Sequence, residues 1–137
     1  MILVDSSIWI DLFANRETPH TERLHQLLRE RFVVGLADLV LTEVLQGTRD
    51  EQHLRATLAN FHDYPRVTVV DATLAVEAAR NYHVLRRLGL TPRKTIDTLI
   101  ATRCIVDETP LLFADRDYLP FVEHLGLRSA LDDTGFS

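Results

Sequence analysis

Short apolar runs that stop abruptly at a charge or a turn recur along the chain, and they restrict its fold more than any other feature. "ILV" at 2–4 is wholly apolar, as a strand covered on both faces requires, and "FVVGL" at 32–36, "RVTVV" at 66–70 and "LLFA" at 111–114 read as further strands. The segments between them have helical spacing. Ser6 or Ser7 is placed to cap a helix through Ile8, Trp9, Leu12 and Phe13, and a second helix, entered near Thr18 and Pro19, carries Leu24, Leu27 and Leu28. Asp38 is expected to cap "LVLTEVLQG", which ends at Gly47, and a helix around 50–62 follows with Leu54, Leu58 and Phe61 on one side. Asp71 starts a long helix that stops at Gly89. Thr91 and Pro92 are expected to open the next, with Ile96, Ile100 and Cys104 on one stripe, and a short helix through Tyr118, Phe121, Val122 and Leu125 comes after the last strand. Strands that alternate with helices predict an α/β fold: a largely parallel central sheet of about four to five strands, covered by helices on both faces through right-handed crossovers.

At 137 residues the chain suits one domain over 1–137, with a polar tail from about 130. Cys104 is the only cysteine, so no disulfide can form within the chain, and its apolar surroundings read as core; a reducing cytoplasmic location is expected. The N-terminus lacks a basic segment followed by a long apolar one, and no apolar stretch approaches the ~18 residues of a membrane span. The formal charge of −5 argues against a protein that coats nucleic acid with a general basic face. The histidines are scattered without an HExxH pair, and a single cysteine excludes a Cys-rich zinc site, so any metal is expected to be held by oxygen.

Ligands of open parallel sheets gather at the carboxyl ends of the strands. Asp5 follows the first strand and Asp115 the last, so the two carboxylates converge if those strands are neighbours. Asp97 shares a helical stripe with Ala101 and Cys104 and faces or borders the core, and Glu43 interrupts an otherwise mostly apolar helix. Taken singly, each acid has an ordinary reading as a cap, a solvated residue or an ion-pair partner. As a group they pose an electrostatic problem, because two carboxylates ~4 Å apart repel by roughly 4 kcal/mol at an effective dielectric near 20. Protons or hard cations must compensate, and Mg²⁺ or Mn²⁺ suits an all-oxygen cluster and phosphoryl chemistry.

"VDSS", "LTEVLQG", "TIDTLIA" and "LLFADRDYLPF" occur in this order with matching strand and helix context, and together they resemble the signature segments of PIN-domain ribonucleases, in particular the VapC toxins of bacterial toxin–antitoxin systems. The resemblance runs from residue 2 to about 125. It implies that Asp5, Glu43, Asp97 and Asp115 form an acidic catalytic site, that Asp5, Asp97 and either Asp115 or Asp117 ligate one or two Mg²⁺ or Mn²⁺ ions, and that Ser6 orients Asp5 or a metal-bound water or contacts the scissile phosphate, with a plain helix cap as its ordinary reading, alone or alongside the site role. It further implies hydrolysis of an RNA substrate such as tRNA or another structured RNA, arrest of translation, a cognate VapB-type antitoxin and a homodimer. In such proteins, helical surface of the kind formed by Trp9, Phe13, Leu24, Leu27 and Leu28 also meets the antitoxin; the spacing of these residues by itself indicates core.

Arg86, Arg87, Arg93 and Lys94 are the basic residues nearest the acids in sequence and are candidates to hold flanking RNA phosphates, with a solvated face as the ordinary alternative. Arg93 and Lys94 stand at a helix N-terminus, where the dipole disfavours cations, so a compensating contact elsewhere is expected. Asp11, Asp38, Asp50 and Asp71 read as caps or surface charges, and Asp132 and Asp133 carry no assigned role. A haloacid-dehalogenase-type phosphatase would need a second aspartate where Ser7 stands, and a receiver domain would need a lysine late in the chain, beyond Lys94, where none exists. The remaining alternative is a PIN-like RNA- or partner-binding regulatory domain with little cleavage.

Overall fold

The computed structural model describes residues 1–132; of the expected polar tail, residues 133–137, including Asp133, lie outside the described residues. Four strands, β1 (Ile2–Val4), β2 (Val34–Ala37), β3 (Arg66–Val67) and β4 (Leu111–Leu112), form one sheet in the order β3-β2-β1-β4 with every pairing parallel. Leu3 sits at its centre, in register with Gly35 on one side and Leu111 on the other. The apolar runs become strands because both faces are covered: Ile2, Leu3, Val4, Leu36, Leu111 and Leu112 are all buried.

Among the described residues, seven α-helices connect and cover the strands: α1 (Ser6–Phe13), α2 (Pro19–Arg29), α3 (Asp38–Gln46), α4 (Glu51–Ala59), α5 (Ala72–Arg87), α6 (Thr95–Val106) and α7 (Leu119–Leu125). The first two crossovers step outward from β1 to β2 to β3, and the third returns past β1 to β4. With right-handed connections this reversal puts α1–α4 on one face and α5 and α6 on the other. The packing agrees, since α1 rests on α2 and α3, whereas α5 rests on α6 and α7. The strand order therefore has its switch point between β1 and β4, where an open parallel sheet leaves a crevice at its carboxyl edge.

Several boundaries differ from the sequence expectation, each for a visible reason. The second strand begins at Val34 because the Phe32 N–H still bonds back to the Leu27 carbonyl at the end of α2. The third stops at Val67: the Val69 N–H goes to Oδ1 of Asp38 and the Val69 carbonyl accepts from Nε of Arg103, so side chains take over from the ladder. Asp38 is thus the first residue of α3 rather than its cap, with Ala37 in the cap position. Thr91 and Pro92 do not open α6, whose cap position is Lys94. Thr18, Asp50 and Asp71 do cap their helices, each accepting a hydrogen bond from the backbone N–H three residues on. Gly89 follows α5 at φ +80°, the left-handed conformation that favours glycine.

Trp9 is enclosed by Phe13, Phe61 and Tyr64, with edge-to-face geometry to Phe61 (centroids 5.0 Å apart) and to Tyr64 (5.3 Å). Trp9, Leu24 and Leu27 are core, so of the residues named as core or antitoxin surface Phe13 is the one left well exposed, at 39%. Cys104 is buried and its thiol is pushed far up by that burial, in keeping with a packing role. Beyond α7 the chain runs beside β4 and parallel to it: the Leu111 N–H bonds to the Arg128 carbonyl and the Ala130 N–H to the Leu111 carbonyl, and Ala130 is wholly buried. The chain is therefore still packed at residue 130, where the polar tail was expected to begin. Among the described residues no helix is long and apolar enough to cross a membrane.

Candidate active site

Because all strands point the same way, everything that directly follows β1 and β4 reaches one edge of the sheet. Asp5 ends β1 and occupies the cap position of α1, yet its side chain makes no capping hydrogen bond. Neither Ser6 nor Ser7 caps this helix. The Ser6 hydroxyl instead donates to Oε1 of Glu43 on α3 (3.3 Å), and the Ser7 hydroxyl to Oδ2 of Asp5 (3.4 Å). Asp97 lies in the first turn of α6, where the helix dipole favours a carboxylate, and it is 7% exposed against 6% for Asp5.

Asp115 caps the 3₁₀ turn Arg116–Tyr118 and Asp117 lies within it, its N–H donating to Oδ1 of Asp115 (2.9 Å). One carboxylate oxygen from each of Asp97, Asp115 and Asp117 lies within 4.8 Å of the others, the spacing of groups able to share a cation. Asp5 and Glu43 stand outside that triad. Asp5 joins it through Tyr118, whose hydroxyl lies 3.1 Å from Oδ1 of Asp5 and 3.3 Å from Oδ1 of Asp97. The fold thus assembles all five acids singled out in the sequence, Asp115 and Asp117 both among them.

The electrostatics separate a buried from an exposed half. Asp97 is pushed up to about 6, first by burial and then by the negative charge of Asp5, with Lys94 and Tyr118 pulling the other way. Asp5 is raised mainly by burial and further by Glu43, against the lowering effect of the Tyr118 hydrogen bond. Glu43 is raised by burial and by Asp97. Oδ2 of Asp97 is buried without a hydrogen-bond partner, which leaves a carboxylate oxygen costly to ionise unless a cation meets it. That orphaned oxygen and the all-carboxylate donor set fit a hard divalent cation.

Lys94 and Arg93 account for the cations at the start of α6. Nζ of Lys94 pairs with Oδ2 of Asp115 (3.4 Å), and Nη2 of Arg93 with Oδ1 of Asp117 (3.0 Å). Arg86 and Arg87, in the last turn of α5, form no ion pair with these acids among the described residues; the Arg86 guanidinium lies over the Tyr82 ring instead. Asp11 is a surface acid paired with Arg16, and Asp71 pairs with Arg103. Sequence reasoning missed Tyr118 and Ser7. The available signal for Tyr118 was a hydroxyl on an otherwise apolar stripe, three residues after the last strand-end acid.

Residues 2–123 match the PIN domain family. The chain is 28% identical over 119 residues to VapC ribonuclease Mb1587 of Mycobacterium bovis, covering 86% of this chain and 89% of that protein, and equally to ribonuclease VapC11 of Mycobacterium tuberculosis. Its fold is similar to that in the crystal structure of VapBC2 from Rickettsia felis bound to a promoter DNA fragment (TM-score 0.74, 16% identity, 94% of this chain and 97% of that one). It is also similar to VapBC-1 from nontypeable Haemophilus influenzae (TM-score 0.70, 20% identity, 94% and 96%).

Proposed function

The chain belongs to the PIN-domain family, and from that premise we propose that it is a metal-dependent endoribonuclease of the VapC toxin type, built as one PIN domain over 1–137. The observation that carries the proposal is the pair of buried acids at the switch point, Asp5 and Asp97, with an unpartnered oxygen on Asp97. The names of the mycobacterial relatives support ribonuclease chemistry, and the toxin–antitoxin complexes of similar fold support an antitoxin partner.

In this reading Asp5, Asp97, Asp115 and Asp117 hold Mg²⁺ or Mn²⁺, and the cation when bound supplies Lewis-acid activation of water and neutralises charge on the phosphodiester. Asp97 contributes its free oxygen. Glu43, held by Ser6, lies close enough to Asp5 to act on it electrostatically and in this reading takes the proton of the attacking water. Lys94 and Arg93, at the mouth, exchange their carboxylate partners for RNA phosphates, and Arg86 and Arg87 extend that basic track. The substrate is tRNA or another structured RNA, and its cleavage inhibits translation. The protein works in the cytoplasm and as a homodimer. A VapB-type antitoxin covers the exposed Ile10 and Phe13 of α1, beside a cleft of about 330 Å³ shared with Val44, His53 and Thr57.

The test is incubation of the purified, antitoxin-free protein with cellular RNA and Mg²⁺, alongside Asp5→Asn, Asp97→Asn and a chelator control. Discrete fragments that vanish with either substitution or with chelator are expected. Cleavage that survives both substitutions would sink the mechanism, and RNA binding without cleavage would favour a regulatory binding domain. Expression alone should arrest growth, and coexpression of the cognate antitoxin should relieve the arrest.

A further inference from the structure

Tyr118 is a wholly buried residue whose one polar side-chain atom lies between two carboxylates. The ring has 0% exposure and packs against Phe113, with centroids 5.1 Å apart, so it has little freedom to move. Its hydroxyl carries a single proton and faces Oδ1 of Asp5 and Oδ1 of Asp97 at 3.1 and 3.3 Å. These two acids come from opposite ends of the chain, one after β1 and one on α6. The tyrosine hydroxyl lies within hydrogen-bond distance of both, its one proton shared between the two oxygens.

The contact also selects which oxygens remain available. On Asp97 the hydroxyl engages Oδ1 and leaves Oδ2 buried and unpartnered. On Asp5 it engages Oδ1, while Ser7 reaches Oδ2 weakly at 3.4 Å. A carboxylate on a short side chain can rotate about its terminal torsion, which is broad and soft. A hydrogen bond from a rigid ring removes that freedom. Groups of this kind around metal ligands fix ligand orientation, and their loss commonly costs tenfold to a hundredfold in metal affinity.

We propose that Tyr118 is a positioning residue that ties the Asp5 carboxylate to the Asp97 carboxylate and presents the free Oδ2 of Asp97 to the cation. The inference rests on the reading of these acids as a metal site and adds a residue which is not itself a ligand. A phenylalanine would fill the same space in the core, so the hydroxyl is what distinguishes a positioning role from simple packing.

The experiment is titration of the full chain with Mn²⁺, with free Mn²⁺ followed by electron paramagnetic resonance, for wild type, Tyr118→Phe and Phe113→Leu. Tyr118→Phe is expected to raise the Mn²⁺ dissociation constant about tenfold or more, and to lower RNA cleavage most at subsaturating metal. Phe113→Leu loosens the same packing but keeps the hydroxyl, and is expected to change Mn²⁺ affinity by less than about threefold. Equal or tighter Mn²⁺ binding by Tyr118→Phe overturns the proposal while leaving the metal site standing, as does an equal loss in both variants. A wild-type chain that binds no Mn²⁺ overturns the inference together with the metal site on which it rests. Because affinity is read directly, failure to find an RNA substrate does not obscure the result.

Discussion

The two halves of the acidic site solve the same electrostatic problem in different ways. At the exposed end, Asp115 and Asp117 are each matched by a cation from the start of α6, Lys94 and Arg93, whose side chains remain 61% and 79% exposed. At the buried end, Asp5 and Asp97 have a shared phenol and, among the described residues, no cation in hydrogen-bond contact, and both carboxyls are raised. Exposed pairs of this kind contribute little to stability because water already screens them. Buried like charges are costly, and a chain that retains them gives up stability for something else. The difference identifies the buried end as the part of the site that a cation would change most.

Substitution at the two ends should separate them most clearly in catalysis. Asp5→Asn or Asp97→Asn is expected to lower RNA cleavage by about 10²–10³, the scale for losing a group that stabilises transition-state charge. Asp115→Asn or Asp117→Asn, each leaving the other acid of the exposed pair beside the cation, should cost less, about tenfold, the low end of losses around a metal site. Cleavage rates on one RNA under saturating Mg²⁺ check this, and equal losses at both ends would erase the distinction.

A second effect appears in the metal-free protein. Asp97 binds its proton up to about pH 6 in the folded chain against an ordinary value of 3.8, so between those values the folded state holds protons that the unfolded state has released. Stability without metal should therefore rise as pH falls from about 6 towards 4, and fall as pH rises through 6. Asp5 and Glu43 are shifted in the same direction, and such neighbours titrate as a group. Thermal melts in chelator should show this slope, and Asp97→Asn should flatten it while raising the midpoint by a few degrees, equivalent to about 1 kcal/mol. Stabilisation by added Mn²⁺ should run the opposite way and grow with pH, because the cation competes with the protons. A metal-free midpoint that rises with pH across this window would contradict the account of the buried end.

The smallest effects belong to the exposed end. Lys94→Ala and Arg93→Ala should change stability by no more than about 0.5 kcal/mol in denaturant melts. If these residues hold RNA phosphates, the same substitutions should raise KM for RNA several-fold and reduce its dependence on salt. Unchanged KM with unchanged salt dependence would return them to the role of local charge partners.

Much of this site was legible in sequence because each acid has a local signature. Asp5 and Asp115 follow apolar runs, and the rule that parallel sheets expose function at their carboxyl ends points to both. Asp97 lies on the stripe of Ala101 and Cys104, and helical spacing alone places it inward. Helix starts were less legible: Thr91 and Pro92 carry the right residue types, but α6 begins at Thr95, and Arg93 and Lys94 before it bond across to Asp117 and Asp115. The third strand was read too long because "RVTVV" has strand propensity throughout, whereas Asp38 and Arg103 take the backbone groups of Val69.

The sequence by itself determined the strand–helix alternation, the parallel sheet and the candidate acids, because periodicity, capping and propensity act over a few residues. Tertiary structure decided the order β3-β2-β1-β4, which makes β1 and β4 neighbours and lets Asp5 meet acids from the far end of the chain. It also decided that Tyr118 reaches Asp5 across 113 positions. No local rule encodes such a contact, since it depends on which strands pair, in what register, and on which face each crossover returns.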